Sequence, residues 1–325
     1  MAAMTRQHLT IGVGAALAAG LLWGLVFVAP LLLPDYPAAL LTFGRYFAFG
    51  LVTLPIAWWQ RTALRRLTRA DWCMALKLSL VGNIIYYLAL SAAIQLAGAP
   101  LPTLIIGTLP VVIAVCSNLG DRQFSWARLL PSLLLIGAGL LCVNADQLGR
   151  LNAEGALTAY AFGAALTVVA NAAWTWYPIH NARWLRAHPS HTSTTWATAQ
   201  GITTLPLAAV GLLVSILYLK VSGDARFVDS WSGPQPGKFW LLMVVIGFSA
   251  SWLGTLLWNI ASKNTPTALT GQLIVFETLS ALGYAYLVYA RAPSGYEVAG
   301  IALLVFGVIV GVRALSVSSP APAPA

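Results

Sequence analysis

Leu9–Leu33, which reads LTIGVGAALAAGLLWGLVFVAPLLL, decides the fold class. It contains no charged residue. As a helix it is long enough to cross a hydrocarbon layer about 30 Å thick. It is too long for the apolar core of a cleavable signal, roughly 7–15 residues, so it reads as a first membrane span. Further apolar stretches follow at 37–59, 71–96, 100–119, 127–144, 154–180, 192–218, 238–261, 266–289 and 296–315. The expectation is an all-α polytopic membrane protein of ten spans in two groups of five. A duplicated unit with an odd number of spans enters the membrane from opposite sides in its two copies. That is the inverted-repeat plan of many secondary transporters, with the substrate site where the halves meet.

Composition agrees. The chain is 59% hydrophobic and 8% charged over 325 residues, far below the roughly 25% charged residues of a soluble domain. The net charge of +9 does not signal nucleic-acid binding, because the basic residues are spread over short loops rather than gathered in one patch. Cys73, Cys116 and Cys142 have neither CxxC spacing nor a disulfide framework, and read as buried thiols. The segment 318–325, an Ala/Pro run, reads as a disordered tail.

Orientation follows from Lys and Arg. Arg6, Arg61, Arg65, Arg66, Arg69, Arg122, Arg128, Arg183, Arg186, Lys263 and Arg313 fall on one side. Arg150, Lys220, Arg226, Lys238 and Arg291 fall on the other. The richer side is cytoplasmic by the positive-inside rule, which puts both termini inside. The one long connection, Lys220–Gly237, is rich in Gly, Pro, Ser and Asp and reads as a solvated loop.

The halves resemble each other. Gly82, Asn83, Tyr86 and Tyr87 in the third span match Gly247, Ser251, Trp252 and Thr255 in the eighth. Leu54-Pro55 in the second span matches Leu205-Pro206 in the seventh. We therefore divide the chain into repeats at 1–150 and 151–317.

The run Leu109-Pro110-Val111-Val112-Ile113-Ala114, then Leu119-Gly120-Asp121, then Ile136-Gly137-Ala138-Gly139 resembles the end of an EamA unit. The second copy keeps Gly300, Gly307, Val308 and Gly311, but has Ala290-Arg291 where the family has Gly-Glu. The resemblance covers nearly the whole chain. It is to the drug/metabolite transporter superfamily, and within it to YddG-type amino acid exporters, on the aromatic character of spans three, six and eight. It implies two inverted five-helix repeats around a central cavity, and export of aromatic and other neutral amino acids and of some organic cations.

Several side chains could carry that chemistry. Glu277 stands near the middle of the ninth span, where an unpaired carboxylate costs several kcal/mol. Its candidate roles are proton coupling, binding of a substrate amino group, or a structural hydrogen bond. Arg45 in the second span suits a substrate carboxylate, a pair with Glu277, or snorkelling to the interface. Lys77, close to the end of the third span, reads as snorkelling. Asn83 and Tyr87, with Ser91 a turn on, share a helix face flanked by Tyr86. Asn171 and Trp174 lie together on the sixth span. Thr255 and Asn259 continue a stripe from Ser251, flanked by Trp252. Trp23 and Gln272 complete the candidate lining. Amide and hydroxyl groups beside aromatic rings suit a ligand with a polar head and a flat apolar body, and aromatic faces attract organic cations. The competing use of each stripe is hydrogen bonding between helices. Tyr87 and Trp252, on matching spans, are expected to face each other across the cavity.

Gly20 and Gly24, and Gly307 and Gly311, form GxxxG pairs that serve internal packing or a dimer. A monomer is expected, with a homodimer as the alternative. His188 and His191 lie in a basic loop without a carboxylate or Cys partner in sequence, which argues against a metal. No HExxH, Walker A or GxSxG occurs, so no enzyme activity and no cofactor are expected. The expected partners are a small-molecule substrate, an amino acid, and the lipid bilayer of the cell's inner membrane. A membrane enzyme or scaffold for a lipid-like molecule would call for ionisable residues clustered near one membrane face, and the sequence shows none.

Overall fold

The computed structural model describes residues 6–109, 112, 127, 130–132, 134–139, 141–142, 157–227, 230, 232–264 and 273–316. Regular structure among them is helical throughout. Among the described residues six helices are long and apolar enough to cross a membrane: Thr10–Leu32, Ala38–Trp59, Arg69–Ala97, Leu157–Leu185, Ser193–Val221 and Pro236–Asn264. They correspond to spans one, two, three, six, seven and eight. Spans four, five and nine fall partly on residues outside those described. Their described parts include the helices Pro100–Gly107 and Val275–Tyr289. Span ten is the helix Gly295–Ser316. The tail 318–325 also lies outside the described residues.

The outer face of the bundle is apolar, and its polar side chains are buried within a largely apolar core. Val210, Leu213, Val214 and Leu217 of span seven are exposed, as are Leu241, Val244, Val245 and Phe248 of span eight. Lipid tails satisfy such faces. Thr42, Arg45, Thr53, Asn171, Asn181, Gln200, Asn259 and Glu277 are buried, because a polar group facing lipid has no hydrogen-bond partner. Cys73 departs from expectation: it is exposed, on the outward helix face that also carries Leu76 and Leu80. Cys142 is half-buried and Cys116 lies outside the described residues.

Packing follows a regular scheme. Span one packs on spans eight and nine, and span six packs on spans three and four. Span two runs along span seven and touches span eight; span seven touches span three. Exchanging each span with the one five places away leaves this scheme unchanged. Gly20 and Gly24 allow span one to lie against span nine. A Cβ on Gly20 would be 3.0 Å from the Glu277 nitrogen, and one on Gly24 would be 2.9 Å from the Ala281 nitrogen. Gly307 packs likewise on Leu135 and Ile136 of span five, and its carbonyl accepts from Ser132 Oγ at 2.7 Å.

Interruptions also recur in matching spans. Span three contains a π-helical segment, Ser79–Ile85, and span eight contains another, Gly247–Leu253. Such segments widen the helical turn and commonly mark functional sites. The offset that aligns Gly82 with Gly247 also aligns Thr108 with Leu273. Thr108 ends the first helix of span four, and Ile274 precedes the Val275–Tyr289 helix of span nine.

The long connection is a packed cap, not merely a solvated loop. Tyr36 stacks on Phe239 at 4.9 Å and meets Phe227 edge-on at 5.7 Å. Its hydroxyl donates to the Ser232 carbonyl at 2.7 Å and accepts from the Gln235 amide at 2.9 Å. Lys238 Nζ donates to the Leu32 carbonyl at 2.7 Å.

Candidate functional site

Spans one, two, three, six, eight and nine converge on a small cavity with room for about one water. One wall is aromatic. Trp174 stacks between Tyr86, at 4.6 Å, and Tyr177, at 5.0 Å. Trp23 stands edge-on to Trp174 at 5.1 Å, and its Nε1 donates to the Ala250 carbonyl at 3.0 Å. Asn83, Ser251 and Thr255 supply neutral polar groups.

Two charged side chains complete the lining. Arg45 is only 3% exposed, so it does not snorkel. Its Nε donates to Ser251 Oγ at 3.1 Å. Its guanidinium lies 4.3 Å from the Tyr87 ring centre and 4.8 Å from that of Tyr46. Such desolvated cation–π contacts are worth about 0.5–2 kcal/mol each. Arg45 Nη1 has no hydrogen-bond partner among the described residues. Glu277 is 1% exposed and stands in the first turn of its helix, where the helix dipole presents its positive end. Neither of its carboxylate oxygens makes a hydrogen bond of good geometry among the described residues, and neither does the Trp174 indole N–H that faces it. No Arg45–Glu277 ion pair within 4 Å occurs among them. A buried charge that lacks a full set of partners costs several kcal/mol. Two of opposite sign around one cavity complement a ligand that carries both signs.

The sequence-derived candidates divide. Trp23, Arg45, Asn83, Tyr86, Trp174, Thr255 and Glu277 line the cavity. Gln272 lies outside the described residues. Asn171 ties span six to span four: its Nδ2 donates to the Ile105 carbonyl and to Thr108 Oγ1, each at 3.2 Å. Asn259 accepts from Asn181 Nδ2 at 2.9 Å, a bond between spans six and eight.

Tyr87 and Trp252 do not face each other across the cavity; neither is among its lining residues. Tyr87 lies behind Arg45 and donates to the Val26 carbonyl at 3.0 Å, while Trp252 stacks on Phe248 at 6.1 Å. Positions i and i+3 share a helix face as well as i and i+4. Here Asn83 and Tyr86 take the lining side, and Tyr87 turns its hydroxyl to span one.

Tyr46 and Ala250 also line the cavity and carried no sequence signal, being an aromatic and a small residue on apolar helices. A second omission is the partner of His191. Its Nε2 lies 2.8 Å from Asp71 Oδ1, a carboxylate 120 positions away. Among the described residues no group of three or more His, Cys, Asp or Glu could hold a metal.

An apolar-sided bundle with charged groups gathered at its middle defines a polytopic membrane transporter. The comparisons agree. A model described as the EamA-like transporter family matches residues 10–145. The Inner membrane protein YtfF of Escherichia coli (strain K12) is 47% identical over 307 residues, covering 93% of this chain and 95% of its own. A crystal structure at 20% identity superposes with a TM-score of 0.63 over 95% of this chain and 99% of that one, which shows a shared fold alone. The chain belongs to the EamA-like transporters of the drug/metabolite transporter superfamily, and is a transporter rather than an enzyme.

Proposed function

We propose that the protein exports aromatic and other neutral amino acids, and organic cations, by alternating access through the central cavity. The observation that carries this reading is a pair of opposite charges beside an aromatic wall, Arg45 with Nη1 unbonded and Glu277 with both oxygens unbonded among the described residues. In it, Arg45 Nη1 receives the substrate carboxylate, Glu277 receives the ammonium group, and Trp23, Tyr86 and Trp174 pack against the flat body. A bare organic cation uses Glu277 and the rings alone. The cavity is too small for an amino acid, so loading requires the bundle to part on one side.

The five-place symmetry of the packing and the matched interruptions support two inverted repeats, 1–150 and 151–317, as the moving halves. The inner membrane is the proposed location, as in the printed name of the YtfF relative. Export and cytoplasmic termini rest on the family resemblance and on the loop charges.

Flux of labelled phenylalanine and tryptophan in proteoliposomes tests the reading. Saturable flux that neutral amino acids inhibit is expected. No saturable flux for any amino acid or organic cation would sink it, and would leave transport of a different metabolite.

A further inference from the structure

Below the cavity, toward the connection between spans six and seven, polar side chains from several spans bond one another. They form three tiers. Tyr177 is the first. Its ring seats on Gly82, where any Cβ would collide with it, and its hydroxyl donates to Gln200 Oε1 of span seven at 2.8 Å. Asn181, one turn further, is the second. Its Oδ1 accepts from Trp196 Nε1 at 2.7 Å and from Gln200 Nε2 at 3.3 Å, and its Nδ2 donates to Asn259. Asp71, at the start of span three, is the third. Its Oδ1 accepts from Trp184 Nε1 at 3.0 Å and pairs with His191, and its Oδ2 accepts from the Thr68 amide and hydroxyl, both at 2.7 Å. Lys263, at the end of span eight, donates to the His191 carbonyl at 2.5 Å.

Every tier joins elements that must separate if the cavity is to reach this face. The first ties span six to spans three and seven; the second ties six to seven and eight; the third ties three to six and to the connection after it. Their chemistry suits reversible closure. Hydrogen-bonding groups exchange protein partners for water on opening, so they are satisfied in both states. An apolar plug would expose its surface whenever it opened.

We infer that these tiers are the gate between the cavity and the face carrying the Arg61–Arg69 connection, with Tyr177 as its cavity-side leaf and Asp71 as its latch. The gate rests on the alternating-access reading but not on the identity of the substrate.

Cysteine accessibility tests it. Ala250→Cys, which lines the cavity, is placed in a chain whose Cys73, Cys116 and Cys142 are replaced by Ser. Sealed vesicles of both orientations are treated with a membrane-impermeant thiol reagent. Tyr177→Phe removes one hydroxyl and keeps the ring; Asp71→Asn removes the latch charge. Each is expected to speed modification from this face about 3- to 10-fold, the loss of one buried hydrogen bond, and to slow it from the opposite face. Gln200→Leu breaks the first tier from span seven if Tyr177→Phe does not fold. Unchanged rates from this face in folded variants, even with a lowered melting temperature, overturn the gate and leave the tiers as packing. The parent Ala250→Cys tests alternating access separately: reaction from one face only under all conditions defeats that reading. Faster reaction in the gate variants still supports the gate.

Discussion

Arg45 and Glu277 are held differently, and their variants should behave differently. Arg45 is fixed by Ser251 and two tyrosine rings, with Nη1 left over. Arg45→Lys keeps the charge but loses the planar fork and the Nε bond. We expect a rise in KM of about 10- to 100-fold for all amino acids, corresponding to about 1.5–3 kcal/mol for a charged hydrogen bond, and little change for organic cations. Competition against labelled substrate in proteoliposomes would read this out. Glu277→Gln removes the only acid among the described residues that line the cavity. If Glu277 couples proton movement, the variant loses pH-dependent flux and retains counterflow; unchanged pH dependence would remove Glu277 from the coupling. Trp174→Ala should weaken aromatic substrates more than small ones, since it removes the central ring of the stack. Tyr87→Ala should weaken all amino acids alike, because its ring acts through Arg45.

At the scale of elements, the glycines separate close contact from open space. Gly247 begins the second π segment, and a Cβ there would lie 2.9 Å from both the Arg45 oxygen and the Phe49 nitrogen. Backbone cannot yield as a side chain can. Gly247→Ala should therefore cost about 1–3 kcal/mol and lower the melting temperature in detergent. Gly14 has nothing within 4 Å among the described residues, so Gly14→Ala should leave it unchanged or slightly raised. A melting temperature for Gly247→Ala no lower than that for Gly14→Ala would show that the fit of span eight against span two does not set the effect.

The whole molecule shows how far the sequence could be read. Apolar length marked the membrane fold, and the positions of spans one, two, three, six, seven and eight agree closely with the described helices. Loop charge predicts that reporters fused to either terminus respond from the side that carries Arg61, Arg65 and Arg66; reporters on opposite sides would refute the even span count. Which polar residues meet was less legible. Asn83 and Thr255 reached the cavity from their stripes, whereas Asn259, on the same stripe as Thr255, bonds across helices instead. By itself the sequence determined that the chain lives in lipid, since solvent chemistry acts on every residue separately and leaves its mark in composition and period. Tertiary structure alone decided that Arg45 and Glu277 share a cavity, that Tyr86 rather than Tyr87 lines it, and that Asp71 finds His191. Those outcomes depend on contacts between spans far apart in the chain, and no local pattern encodes them.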